Sequence, residues 1–492
     1  MRVQKTVSRE RKLQEKRRGV RVNSRVPVAI EWEGKSGESL RSEAHTRIVG
    51  PYGCLLVLPQ NLDVEKRLRL TNLANQQSCP AIVVWQGNER SAGSTWATHI
   101  SRLQPQGTTY KPIDPVRVLD TRTGIGLSGT FKHVVPRTWA VAGNPAFPTI
   151  PAGAVAVTGI VTVVGQTKAG YVFVGPTPAA KPPAATVSFP TGENWTNSLV
   201  VSLSASGSLS ATYASSSGAT THLVIDVTGY FLADDTGATF TAKDPTRILD
   251  SRFGTGLPGP FAHGVPQTLT VTGSNGIPVG ATAVTGNLTA IEQTSAGRLS
   301  VTTAPDPAPS TNTLNFSSSG TRSTGIFAPL DGSGALSITF NSSSSSTATT
   351  QVILDITGYF VPGTGGLRFV PMSPARLMDT RSVGVLSVLT GPFSMGTPRT
   401  FPVVGHWGVS SAAKAISANL SVIEQTNSGN VSVTTVPAPV PTTSTISFPS
   451  GGTRSNGLVA ALDVDGDASA TYRSTTAPNT VQLIIDLSGY FE

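Results

Sequence analysis

One phrase occurs three times and constrains the fold more than anything else in the chain. It reads PVRVLDTR at 115–122, PTRILDSR at 245–252 and PARLMDTR at 374–381. A second phrase closes each copy: LVIDVTGYF at 223–231, VILDITGYF at 352–360 and LIIDLSGYF at 483–491. The opening Asp (Asp120, Asp250, Asp379) and the closing Asp (Asp226, Asp355, Asp486) stand 106, 105 and 107 residues apart. A fixed period with loop-sized slippage is the mark of an internal repeat. This period is too long for a solenoid unit and fits a whole domain.

Between the two phrases the same landmarks recur in order. VTGIVTVVGQTKAGYVFV (157–174) matches VTGNLTAIEQTSAGRLSV (284–301) and ISANLSVIEQTNSGNVSV (416–433). In each, two alternating apolar runs flank a turn signal, the pattern of a hairpin. TVSFP, TLNFS and TISFP follow, then a Gly/Ser/Thr turn and a further pair of strand-like runs. Many short strands in series predict an antiparallel sandwich or jelly-roll-like domain for each repeat. The expected class is therefore all-β. The limits are 115–231, 245–360 and 374–492, with 104–114 read as a linker.

Charge sets the first fifth of the chain apart. Residues 1–110 hold 18 Lys/Arg against 9 Asp/Glu, whereas the rest holds 19 of each, so the whole net charge of +9 lies in that fifth. Such a patch suits a phosphate-bearing partner. Residues 1–14 read as a basic tail. The only cysteines, Cys54 and Cys79, are too few for a disulfide scaffold and lack zinc-ligand spacing. The sequence contains no apolar run of bilayer length and no apolar core near its start, so a cytoplasmic location is expected, with the cell surface reached by a non-classical route as the alternative.

Residues 15–105 carry strand signals at 26–32, 53–58, 68–73, 81–85 and 98–103, broken by Gly, Pro, Asn and Ser. Five or so short strands in so little chain predict a small closed barrel, which leaves no open sheet edge. The order RRGVR, VPVAIEW, IVGPYGCLLVLPQNL, KRLRLTNL, CPAIVVWQG resembles a PilZ domain. That family is a six-stranded bacterial barrel that binds cyclic di-GMP. The resemblance implies that its RxxxR motif falls on Arg17 and Arg21, with Arg18 between them. Its DxSxxG motif falls on 48–53, where only Gly53 matches; Ile48 stands in place of the Asp and Gly50 in place of the Ser. The ligand site implied is Arg17, Arg18, Arg21 and Gly53, with no other cofactor. Guanidinium groups suit such a ligand because they bind phosphate oxygens in pairs and stack on purines.

The repeats resemble the tandem β-rich modules of large bacterial surface and secreted proteins. Those motifs mark a family but name no chemistry; a protein or glycan partner is expected for the repeats, and no specific nucleic acid. No catalytic or metal residues are assigned. A carboxylate inside LVIDV is expected to be buried, and the least costly partner is an Arg of its own opening phrase. Acid–base work by Asp120 and Asp226 is the competing reading; the adjacent Arg residues weigh against it. DVDGDAS at 463–469 resembles the start of a calcium loop but lacks the closing Glu, and reads as a turn. His133 and His263 match each other, but Met395 holds the third position, and no GxSxG accompanies them. The expectation is a non-enzymatic protein: a cyclic di-GMP-binding or docking barrel with a three-domain interaction arm. The alternative is a structural or adhesive β-repeat protein whose barrel no longer binds nucleotide.

Overall fold

A computed structural model describes residues 22–23, 25–33, 38–50, 53–59, 62–64, 66–74, 77–88, 96–102, 107–182, 184–382, 387–475 and 478–492. Every regular element among them is a β-strand. The chain forms two compact units, residues 1–106 and 107–492.

The described residues of the first unit form seven strands: β1 (Val22–Asn23), β2 (Pro27–Glu33), β3 (Ser39–Gly50), β4 (Gly53–Leu58), β5 (Arg67–Asn72), β6 (Gln77–Asn88) and β7 (Trp96–Arg102). The antiparallel order β3-β2-β5-β6-β7-β4 returns to β3 through the β3–β4 pairing, so six strands close on themselves. β1 adds a short seventh strand on β3, with Val22 opposite Val49 and Asn23 opposite Ile48. Alternation along β4 turns Cys54, Leu56 and Leu58 inward to meet Val28, Ile30, Ala81, Val83 and Ile100. β3 carries no strand signal of the usual kind, because its inward positions are the small or polar Ser42, Ala44 and Thr46.

In the second unit each repeat is a sandwich of a four-stranded and a five-stranded antiparallel sheet around its own apolar core, and the larger sheets of the first two repeats run on as one ten-stranded sheet. The closing strand pairs with the opening strand of its own repeat: Thr220–Leu232 with Thr109–Asp120, Thr349–Pro362 with Ala238–Asp250, and Thr480–Phe491 with Phe369–Asp379. These opening strands start earlier than the repeated phrase. The first begins at Thr109, inside the segment read as a linker, and the others begin inside the joins between repeats.

The early residues do a separate job. Tyr110 pairs with Ala238, Phe240 with Leu367 and Phe369 with Thr108, so the three opening strands are knitted to one another. The third repeat therefore meets the first, and the repeats close into a ring with approximate threefold symmetry rather than a line of beads. Six buried rings mark its centre. Within each repeat the opening and closing aromatics, Tyr110–Phe231, Phe240–Phe360 and Phe369–Phe491, have centroids 5.0 Å apart. Between repeats, Tyr110–Phe360 and Phe240–Phe491 are 4.3 Å apart and Phe231–Phe369 4.5 Å, completing the cycle. Tilted aromatic pairs at about these separations attract beyond the area they bury. This explains why each repeat ends on GYF.

Val134 marks a local conflict. It adopts φ of 51°, where the matching residues of the other repeats are Gly264 and Gly396 at 70° and 71°. A β-branched side chain in the left-handed region costs about 1–2 kcal/mol, partly offset by the chain entropy that glycine loses. Val134→Gly is expected to stabilise the repeat unit by roughly 0.5–1 kcal/mol. A lower denaturation midpoint in urea would contradict this.

Candidate functional site

The charged residues of the repeated phrases converge into three equivalent clips. Asp226 accepts bonds from Arg117 Nε and Nη2 at 2.9 and 3.1 Å. Asp355 takes the same pair from Arg247 at 2.9 and 3.2 Å, and Asp486 from Arg376 at 2.9 and 3.2 Å. The opening acids, in turn, are held by the next Arg: Asp120 by Arg122, Asp250 by Arg252 and Asp379 by Arg381. All six carboxylates are buried. Each forked pair joins the first strand of a repeat to its last, as a bidentate Arg–carboxylate contact can.

A second role of the closing acids has no signature in the repeated phrases. Each also accepts a backbone N–H from the next repeat around the ring. Asn312 donates to Asp226 at 3.3 Å, Ser444 donates to Asp355, and Ala185 donates to Asp486 at 3.2 Å. Asparagine pairs reinforce two of the three interfaces. Asn197 Nδ2 donates to Asn419 Oδ1, and Asn456 Nδ2 to Asn287 Oδ1, both at 2.8 Å. At the third interface the matching positions are Thr324 and Ile160. The two departures face the same junction, so neither leaves an asparagine without its mate.

The clips and the burial pull the acids' pKa values in opposite directions. The Arg side-chain bond holds Asp120, Asp250 and Asp379 below the ordinary carboxylate range. Burial pushes Asp226, Asp355 and Asp486 above it, outweighing the guanidinium beside each. The unfolded chain titrates all six near about 3.9. The opening acids therefore add stability that is present above that value and lost as pH falls through their lower folded values. For the closing acids the native state holds the extra proton, so their contribution is full below about 3.9 and declines as pH rises through their folded values. Calorimetric scans from pH 3 to 8 are expected to show greatest stability on the acid side of neutrality, with a steep loss below about pH 4. A steady rise from pH 4 to 7 would mean that the guanidinium contacts, not burial, dominate at the closing acids.

Three equivalent strands, Trp195–Ser202, Arg322–Pro329 and Arg454–Ala461, touch one another along the ring axis. Their matched residues stack in layers. Val200, Phe327 and Val459 lie next to the aromatic cycle. Ser198, Gly325 and Gly457 form the tightest layer: a Cβ added to Gly325 would stand 2.2 Å from the Gly457 carbonyl oxygen and 2.6 Å from Ser198 Oγ. Asn197, Thr324 and Asn456 follow, with Gly325 N–H donating to Asn456 Oδ1 and Gly457 N–H to Asn197 Oδ1, both at 2.7 Å. The last layer is Trp195, Arg322 and Arg454. Both guanidiniums lie over the Trp195 ring, 5.0 and 4.7 Å from its centroid.

The remaining sequence-derived sites are placed as follows. Arg17, Arg18 and Arg21 lie outside the described residues. Gly53 opens β4, opposite Gly50 of β3 and Ser101 of β7. His133 and His263 play one part twice, each accepting a backbone N–H at Nδ1, from Ser215 at 3.1 Å and Ser342 at 2.9 Å. Asp463 accepts the N–H groups of Asp465 and Asp467, so DVDGDAS is a self-bonded turn. Among the described residues no three His, Cys, Asp or Glu are grouped to hold a metal. No helix among them is long and apolar enough to cross a membrane. Two cavities at the repeat junctions, about 20 and 40 Å³, adjoin Asp355 and Asp486 and have room for water rather than a substrate.

No family model and no curated protein matches the chain. Among solved structures, a chain of the Sulfolobus turreted icosahedral virus is 11% identical, covering 70% of this chain and 92% of its own at a TM-score of 0.15. The M60 catalytic domain with two CBM51 domains from Clostridium perfringens ZmpB is 7% identical, covering 95% of this chain and 51% of its own at a TM-score of 0.13. Likeness at that level carries no argument about fold or function.

Proposed function

We propose that the chain is a non-catalytic binding protein. Its barrel takes cyclic di-GMP at Arg17, Arg18, Arg21 and Gly53, or docks a protein there, and its repeat ring is a rigid interaction scaffold for a protein or glycan. The observation that carries the scaffold reading is that all six repeated acids are spent on Arg clips, three of them also on the neighbouring repeat. Carboxylates tied in this way hold strands together and are poorly placed to exchange protons with a substrate. The pairing of Val22 with Val49 supports the barrel reading. It lays the residue after Arg21 against the strand whose last residue, Gly50, pairs with Gly53.

The absent Asp and Ser of the second motif remove two polar contacts, which weakens binding by about a few hundredfold. Micromolar or weaker affinity is expected, falling as salt rises. Calorimetric titration of the full chain with cyclic di-GMP at low salt tests this. Heat that disappears in Arg17→Ala/Arg21→Ala supports nucleotide binding. No heat at high micromolar protein, or equal heat from the double variant, leaves the barrel as a docking module.

A further inference from the structure

The end of the ring axis carries an excess of positive charge that the scaffold itself does not use. Trp195, Arg322 and Arg454 occupy one matched position in the three repeats, and the axis brings them together. Arg322 is provided for: its Nη2 donates to Glu193 Oε2 at 3.2 Å and to Ser317 Oγ at 3.3 Å. Arg454 is not. Its one protein hydrogen bond runs from Nη1 to the carbonyl of Thr453, and its Nε is buried without a partner, as is the Nε of Arg322. Glu193 has Gly320 and Gly452 as its counterparts, so one carboxylate faces two guanidiniums. Burial, then repulsion from Arg322, lowers the pKa of Arg454, and Glu193 only partly offsets this.

Two like charges over one indole, with donors unpaired, cost free energy that a bound anion would recover. Arg454 is partly exposed at this end of the axis. The three turns around it, at 191–194, 318–321 and 450–453, are mostly exposed, and Gln166, Gln293 and Gln425 pin their carbonyls from beneath. Those bonds fix the rim before any ligand arrives.

We propose that this axial mouth is a binding site for one compact oxyanion, a small carboxylate or sulfate-like group, held by the guanidinium of Arg454 with Arg322 beside it and Trp195 as the platform. Trp195 orients both cations through their contact with its face, and the planar fork of Arg454 supplies paired donors. Glu193 cancels one positive charge, which sets the preference at a single anionic group. Every residue of the site belongs to the second unit, and the proposal does not rest on nucleotide binding by the first.

Equilibrium dialysis of the full chain against labelled sulfate at low ionic strength tests the proposal. About one sulfate per chain is expected, displaced by acetate but not by chloride at equal ionic strength. Arg454→Gln is expected to weaken binding at least about tenfold, the loss of a charge-assisted pair. Lys414→Gln, at an exposed lysine elsewhere in the third repeat, leaves it unchanged. Should Arg454→Gln fail to fold, Arg454→Lys keeps the charge, removes the fork, and is expected to weaken sulfate binding as well. No bound sulfate on the unmodified chain, or equal binding by folded Arg454→Gln, overturns the site.

Discussion

Asp355→Ala is expected to cost the repeat unit about 3–5 kcal/mol, the penalty for breaking a buried ion pair from one side. The carboxylate is 2% exposed and takes two bonds from Arg247 and one from the Ser444 N–H. Its removal takes away the side-chain clip between the second repeat's first and last strands and one of the bonds that join the third repeat to the second. Arg247 retains a contact with Asp250 at 3.3 Å and is partly exposed, so the lower end of the range applies. Chemical denaturation of the full chain reads the loss directly. An unchanged midpoint would leave the clip without a structural role. Asp355→Asn keeps the shape and one acceptor, and is expected to fall between the two.

Gly325→Ala is expected to be as damaging for the opposite reason. It adds a methyl group where no space exists, against a backbone oxygen that cannot swing aside. Overpacking in a dense interior costs about 1–3 kcal/mol and more when backbone must move, so about 3 kcal/mol is expected. The layer is shared by all three repeats, so the effect is predicted to spread: hydrogen exchange should quicken along the strands Trp195–Ser202 and Arg454–Ala461, not only in the second repeat. Exchange that quickens only within 322–329 would mean that the repeats fold as separate bodies.

The clips were legible in the sequence because their parts lie in the repeated phrases, and a charged residue inside an apolar strand requires a partner. The ring was not legible. Its contacts use backbone N–H groups of Ala185, Asn312 and Ser444, three residue types with nothing in common, since the acid is read by main chain rather than side chain. The axial layer was hidden in another way. Trp195, Arg322 and Arg454 look unrelated until the strands are aligned through Gln166, Gln293 and Gln425, each three residues beyond the pairing partner of its axial residue. In the first unit, β3 escaped notice because its inward face is Ser42, Ala44 and Thr46, so the alternation that betrays a strand was missing. The early start of each opening strand was concealed by Gly-, Thr- and Pro-containing stretches that read as linker, although Thr108, Tyr110, Phe240 and Phe369 within them knit the ring together.

Writing three repeats in one chain has a consequence for the axis itself. In an assembly of three identical subunits, whatever one copy places on the symmetry axis the other two must place there as well. Three Trp rings would crowd, and three guanidiniums would repel. A single polypeptide is free of that rule. It can set one indole among two cations, give only one turn a carboxylate, and exchange an asparagine pair for Thr324 and Ile160 at one junction alone. Fusion thus lets a nearly symmetric body carry, at its most symmetric point, a site that has a direction.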